Sequence, residues 1–413
     1  MKIAIIGGGA SGLITAYLLH KQHEVTVYEK ESVPGGNVRT LNKNVSGTSL
    51  RPDLSIENGV LGFSESYYPN FHHLMDELEI PLLTYQPSLS LFARDRFYPA
   101  RPGSLRNIRA MVRQLGASGY ATELIGLARS QNRFKKHLSG WEKTGKTYQD
   151  YPLNNPLYEE FLRGLFMLSF STPFADTRQL PQSLLTPYIR SLPNSRWSFV
   201  RGGVYTYLEK IISIIGRDRI RLDALGIQIK RQADHVTVDL KGHSTRYDKV
   251  VIATTPGAVG SVLTDMSDQE RNVFGNWQDR TFTTLAHTDD GLYGRHRSAS
   301  KTPMDLFVDD ERQGYNTYQN TVYRLPTSTS YNFAYGLDDH LPASAILHRA
   351  DHTVPVYDGS LSEKVEAIQS IQGERNTYYA GAYLGNGLHE GAVTSAMRVA
   401  YYLKKQASTY FIG

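Results

Sequence analysis

Lys2 to Ile6 is apolar almost without alternation, as a parallel strand buried on both faces must be. Ser11 to His20 then carries apolar residues at helical spacing, and Glu24 to Glu29, with Val25, Val27 and Tyr28, reads as a second strand. Strand, glycine turn, helix and strand within about 30 residues make a βαβ unit. A second region of β character runs from Arg219 to Ala253, through Ile227 and Ile229, Val236 and Val238, and the run Val250 to Ile252. The last strand signal, Thr377 to Ala380, precedes helical spacing through Val393, Met397, Ala400, Tyr401 and Leu403. Between these, Arg101 to Lys146 and Leu157 to Phe170 read as helices. Thr281 to Arg349, rich in Tyr, Thr, Asp and Phe, reads as antiparallel strands, its tyrosines from Tyr315 to Tyr335 alternating as strand residues do. The pattern therefore predicts one α/β nucleotide-binding domain in three pieces of sequence, with a second domain inserted between them.

Composition narrows the chemistry. The 413 residues include no cysteine, which excludes disulfides, thiolate metal sites, cysteine nucleophiles and any Cys-tethered cofactor. The excess of 45 Lys plus Arg over 40 Asp plus Glu is too mild to name nucleic acid as a partner. Its distribution is uneven: Arg101 to Lys146 holds ten basic residues against Glu123 and Glu142, with interleaved Ile108, Met111, Val112, Leu115, Leu124, Ile125 and Leu127. A basic amphipathic helix of that kind can dock on anionic lipid, although a solvated helical face is the commoner outcome. The apolar run Ile3 to Leu19 is broken by Gly7, Gly8, Gly9 and Gly12, so it is neither signal peptide nor membrane span. The expectation is a cytoplasmic protein, with residues 101–146 a candidate for peripheral contact with an anionic membrane, no nucleic-acid partner, and no metal site, since His72-His73, Asp289-Asp290 and Asp309-Asp310-Glu311 lack ligand spacing.

The first chemical motif is Gly7-Gly8-Gly9-Ala10-Ser11-Gly12, directly after a strand and opening a helix. Gly7 permits the tight turn, Gly9 admits a pyrophosphate to the backbone N–H groups, Gly12 allows close helix packing, and the helix N-terminus favours negative charge. Glu29, at the end of the second strand and 22 positions after Gly7, can accept hydrogen bonds from ribose hydroxyls. Six residues further on, Gly35-Gly36 with Arg39-Thr40 makes a second glycine turn where a nicotinamide dehydrogenase would continue its sheet, so a longer, extended cofactor is expected.

These residues, together with Tyr247 to Thr254 and the stretch from Ala380-Gly381-Ala382-Tyr383 to His389-Glu390-Gly391-Ala392-Val393, resemble the flavin-containing amine oxidoreductase superfamily. Glu57-Asn58-Gly59 to Phe63, Tyr68-Pro69-Asn70-Phe71, and Phe199 with Gly202-Gly203 and Tyr207 are most similar to its branch of NAD/FAD-binding proteins associated with cyclopropane fatty acid synthases. The resemblance implies FAD as cofactor, held by a Rossmann-like α/β domain comprising 1–65, 195–275 and 370–413, with an inserted α+β substrate-binding domain comprising 66–194 and 276–369. It implies cofactor contacts at Gly7, Gly9, Ala10, Ser11, Gly12, Glu29, Lys30, Gly35, Gly36, Asn37, Arg39, Gly226, Ala253, Thr254, Gly381, Gly391, Ala392 and Val393. His389, Glu390 and Tyr383 are the candidate catalytic residues.

Two departures from the superfamily pattern bear on function. Asn37 stands where many members carry an Arg, which removes one pyrophosphate contact unless Arg39 replaces it. Leu388 stands where amine oxidases place an aromatic cage residue, and suits an apolar substrate better than an amine. Gly391 to Val393 is expected to open a helix whose N–H groups face the flavin, with His389 positioned to move a proton. The leading reading is an FAD-dependent oxidoreductase that desaturates a fatty-acyl or lipid-like chain or shifts its double bond. The second is an oxidase turning a small amine or amino acid into an imine with release of hydrogen peroxide, and the third a non-catalytic lipid escort protein.

Overall fold

A computed structural model describes residues 1–85, 88–93, 96–99, 105–138, 145–151, 153–192, 195–296 and 302–405. Its organising element is a five-stranded parallel sheet, in the order Thr377–Tyr379, Lys249–Ile252, Lys2–Ile6, Glu24–Tyr28, Ile220–Arg221. Ile5 on the central strand lies between Val251 and Val27, and all three are buried, which is why the run of Val and Ile shows no polar alternation. The helix Ala10–Leu19 crosses this sheet and packs against the helices Tyr205–Ile215 and His389–Lys405. One sheet thus draws its strands from three separate stretches of sequence.

A buried ion network stitches the second and third of these stretches together. The guanidinium of Arg231 is fully buried and reaches Glu270 at 2.5 Å and Asp265 at 3.0 Å, while the Tyr379 hydroxyl donates to Glu270. Burial alone would raise the Glu270 carboxyl, but Arg231 and Tyr379 outweigh it and bring it down to about 2.

The second large sheet has seven strands, in the order Ile346–Pro355, Asp279–His287, Asn332–Tyr335, Gln313–Tyr318, Met304–Val308, Leu89–Ala93, Arg96–Pro99. Every pairing is antiparallel except that of Met304–Val308 with Leu89–Ala93. The helix Pro156–Phe170 packs against it, and Gln182–Ser191 and the long basic helix Leu105–His137 accompany that helix in the inserted sequence. The fold class is therefore α/β with an α+β second part.

Three particulars differ from the pattern read along the chain. The tyrosine-rich stretch is not all strand, because Gln319–Tyr323 forms a short helix that places Tyr323 off the sheet. The basic helix is broken at Gly116, whose φ of 70° is open to glycine alone at no cost. Trp197–Val200 is the middle strand of a small antiparallel sheet between Phe63–Ser64 and Leu82–Tyr85, so it bonds to strands on both sides of the expected domain boundary. Among the described residues no helix is long and apolar enough to cross a membrane.

Candidate active site

The first glycine turn lies at the carboxyl end of the central strand, where open α/β sheets bind ligands. Gly7 has φ +110°, and a Cβ there would sit 2.6 Å from the Ala253 carbonyl oxygen. A Cβ on Gly12 would overlap the carbonyl oxygen of Gly7, so the helix can approach its own turn only through glycine. No side chain caps the helix that starts at Ala10, and its first turn, with Ser11 and Gly12, carries no acidic residue. The N–H groups there are left for an anion. Glu29 is held at the end of the neighbouring strand by the N–H groups of Gly8 at 2.7 Å and Glu31 at 3.0 Å.

The second glycine turn docks on the first, with the Gly35 N–H donating to the Gly8 carbonyl at 2.9 Å and Gly36 facing Gly9. Beyond it, Arg39 is half-buried; among the described residues its guanidinium makes one hydrogen bond, to the carbonyl of Val38 at 3.1 Å, and no ion pair. Burial pushes its guanidinium below the usual range, against the pull of Glu31 and Glu29; His348 and His352 are lowered by their own burial first and by the Arg39 charge second. A half-buried cation without a carboxylate is poised for a ligand anion. Asn37 does not take that role, because its side-chain amide donates to the Thr353 carbonyl at 3.0 Å and ties the turn to the large sheet. Ala253 and Thr254 complete this edge of the site, Ala253 donating its N–H to Ile6. Gly7, Gly9, Ala10, Gly36, Asn37, Arg39, Ala253 and Thr254 all keep partial exposure in the middle of the molecule, as the walls of a cleft do.

Two expected contacts fall outside this group. Lys30 is exposed with its ammonium 3.5 Å from Glu31, and Gly226 sits in an exposed turn where a Cβ would meet nothing within 4 Å. Two positions earlier, the Ala224 N–H donates to the Glu29 carbonyl at 2.9 Å.

The C-terminal turn is brought to the same sheet edge, since the Ala380 N–H donates to Ile252 and the Gly381 N–H to the Ser395 hydroxyl. Its details depart from expectation. The helix opens at His389, two residues before Gly391, and Asn386 Oδ1 already accepts the Gly391 N–H at 2.8 Å. The Ala392 N–H donates to Leu388, and Val393 is buried one residue further along the helix. The donors expected at Gly391 to Val393 are thus spent within the protein. Glu390 is spent as well: one oxygen accepts from the backbone and side-chain N–H groups of Asn70 at 3.0 and 2.7 Å, the other from the Phe71 N–H at 2.9 Å. It caps the helix Pro69–Glu77 rather than facing a reacting centre.

His389 is different. Its Nε2 lies 2.6 Å from the Tyr207 hydroxyl, and Phe63, Phe71 and Tyr207 stand edge-on to its ring at 5.3, 5.4 and 5.7 Å. Burial among these rings pushes the imidazole down to about 4, so it is neutral at neutral pH. Its Nδ1 has no hydrogen bond among the described residues, and the residue as a whole keeps partial exposure. Tyr383 is buried edge-on to Trp277 at 5.4 Å, its hydroxyl without a hydrogen-bond partner among the described residues and its ionisation suppressed by burial.

Sequence reasoning overlooked Asn386 as a helix cap, Tyr207 as the partner of His389, and Asp279. The Asp279 carboxylate accepts from Thr255 and from the Gly257 N–H, beside Tyr357 and Tyr383. An Asn three residues before a helix carries a readable signal; the other two are contacts between distant segments.

The family model for flavin containing amine oxidoreductases matches residues 10–277. The chain therefore belongs to the flavin-containing amine oxidoreductase family, and it is an FAD-dependent oxidoreductase. No curated protein sequence matches it. Among solved structures, cyclohexylamine oxidase from Brevibacterium oxydans IH-35A is 16% identical with a TM-score of 0.70, over 98% of this chain and 99% of that one. A putative protoporphyrinogen oxidase from Exiguobacterium sp. 255-15 is 13% identical with a TM-score of 0.66, over 98% and 99%. A CLA-producing fatty acid isomerase from P. acnes is 15% identical with a TM-score of 0.66, over 99% and 98%. At these identities the likeness is one of fold. The residues present fit FAD: an uncapped helix N-terminus, a half-buried Arg39 with no ion pair among the described residues and a Glu29 fixed at the strand end supply an anion cradle and an acceptor for ribose.

Proposed function

We propose that the protein acts on an apolar, fatty-acyl or lipid-like chain, removing hydrogen to create a double bond or moving an existing one. The observation that carries this reading is the character of the C-terminal turn. Its one carboxylate, Glu390, is fully occupied by the helix Pro69–Glu77, its histidine is neutral, and Leu388 and Leu184 with Tyr357 surround Gly387. An amine arriving as a cation would meet no unspent charge there. The fatty acid isomerase of P. acnes shares the fold, as do two amine-oxidase structures, so it is the chemistry of these side chains, not the fold, that supports the acyl reading.

The roles follow from the geometry. FAD, when bound, supplies a two-electron acceptor for hydride. The cradle of Gly7 to Gly12, Glu29 and Arg39 would hold its pyrophosphate and ribose. With Nε2–H donating to Tyr207, the free Nδ1 of His389 takes the proton from the carbon next to the one that loses hydride. Proton removal by His389 belongs to desaturation, where the two electrons would pass on to oxygen or another acceptor; in isomerisation the allylic carbon would lose hydride alone and regain it at the far carbon of the allyl cation, so no proton is removed and no acceptor is consumed. The phenol of Tyr383 and the rings around it exclude water.

The exposed Arg109, Arg113, Arg129 and Arg133 on the basic helix, with Ile125 exposed beside them, support docking of this face on an anionic membrane that supplies such chains. Arg101 and Lys143, counted with this segment, lie outside the described residues. Incubating the holoenzyme with unsaturated fatty acids and with primary amines tests the substrate reading. The expected outcome is an acid with a new or shifted double bond by mass spectrometry, and no hydrogen peroxide from the amines. Peroxide from an amine with every acid unchanged would overturn it.

A further inference from the structure

A groove of about 240 Å³ opens away from the glycine turns, between the loop around Leu54, the strand Leu82–Tyr85, the turn at Arg201-Gly202 and the end of the helix Gln319–Tyr323. Its floor is apolar, made by Leu54, Leu83, Tyr323 and Leu325. Asp53 also lines it, but Arg51 answers that charge with two hydrogen bonds of 3.0 and 2.6 Å. Two further guanidinium groups stand at the rim, Arg201 and Arg324, both exposed and neither with an ion pair or side-chain hydrogen bond among the described residues. The groove therefore combines hydrocarbon below with two unanswered positive charges above.

We propose that this groove is a second binding site, for a small amphipathic carboxylate whose head is held by Arg201 and Arg324 and whose short alkyl body lies on Leu54, Leu83 and Tyr323. A guanidinium presents a planar fork that matches a carboxylate, and two such forks on one groove favour an anion over a neutral polar group. The volume sets the size. At roughly 30 Å³ for each water-sized unit the groove holds a head and a few methylenes, and it falls below the span usual for drug-sized or cofactor sites. The Tyr323 ring separates the groove from the interior: it stands edge-on to Phe199 at 5.8 Å, and its buried hydroxyl is within electrostatic reach of Glu57. The inference does not depend on the acyl reading of the reaction centre, because no residue of the two sites is shared.

Calorimetric titration of the FAD-loaded protein with octanoate tests it, beside octanol, inorganic phosphate and the double variant R201Q/R324Q. The expected result is one saturable octanoate site, weakened about ten-fold or more in the double variant while FAD content and the ligand-free melting curve stay unchanged. Octanol and phosphate each bind about ten-fold or more weakly than octanoate, one lacking the charge and the other the alkyl body. Octanoate affinity unchanged in the double variant would place the ligand elsewhere and overturn the proposal. So would phosphate or octanol binding as tightly as octanoate, or no saturable octanoate binding at all.

Discussion

The N-terminal and C-terminal glycine turns meet at one edge of the parallel sheet, yet they are built on opposite principles. At Gly9 to Gly12 the backbone donors are left open, no side chain caps the helix, and the nearby cation Arg39 has no ion pair among the described residues. In the Gly381 to Val393 stretch polar groups are spent within the protein: Ser395 takes the Gly381 N–H, Asn386 takes that of Gly391, and Glu390 spends both oxygens on another helix. The first turn keeps its hydrogen-bonding capacity for a ligand. The second spends its capacity on shape, and what that shape presents is the neutral His389 against Tyr207.

The contrast is broken most severely within the first turn. Gly12→Val drives a side chain into the Gly7 carbonyl, so it should abolish recoverable FAD-bound protein. Gly9→Ala, whose Cβ would meet only Gly36 at 3.6 Å, should fold and lose FAD affinity alone; equal damage from both, read by flavin absorbance and melting, would remove the distinction. Arg39→Gln should weaken FAD binding about ten-fold, roughly 1.4 kcal/mol, with little change in the melting temperature of the apoprotein. If FAD affinity does not change, the unpaired guanidinium serves something else.

A third prediction concerns pH. Burial raises the Glu57 carboxyl to about 8, against the hydrogen bonds from Val204 N–H and the Thr40 hydroxyl. Between the ordinary carboxylate range and about 8 the folded protein holds a proton that the unfolded chain has lost. Stability should therefore fall as pH rises through that window, by on the order of a few kcal/mol, and then level off. His389 has the opposite slope: lowered to about 4, it contributes stability that is complete above the ordinary histidine range and is lost as pH falls through about 4. Denaturant unfolding from pH 5 to 9 on wild type and Glu57→Gln checks this, the variant being flatter at the alkaline end.

The smallest expected effect belongs to the second turn. Glu390→Gln should cost about 1 kcal/mol through the weakened cap on Pro69–Glu77 and leave turnover within a few-fold. A collapse of turnover at unchanged melting temperature would return Glu390 to the reacting centre.

The same contrast explains how much of the molecule was legible in its sequence. Gly7, Gly12 and Glu29 could be read because a local spacing imposes their geometry: the turn, the helix and the next strand lie within one βαβ unit. The parallel sheet was legible for the same reason, since Val250 to Ile252 and Val25 to Val27 carry their burial in their composition. The fate of Glu390 was not, because its partners Asn70 and Phe71 lie some 320 positions away. Nor was Tyr323, which a tyrosine-rich alternation placed on a strand and a short helix removed from it. Asn37 reads in the sequence as a lost phosphate contact, whereas its amide is spent on Thr353 of the large sheet.

The division of labour between the two turns is tested most directly in one sample of His389→Asn, measured at once for bound FAD and for turnover of an unsaturated fatty acid. FAD content should equal that of wild type and turnover should be lower by about 10² or more, the usual worth of a positioned acid or base. Full turnover, or loss of FAD along with activity, would contradict it.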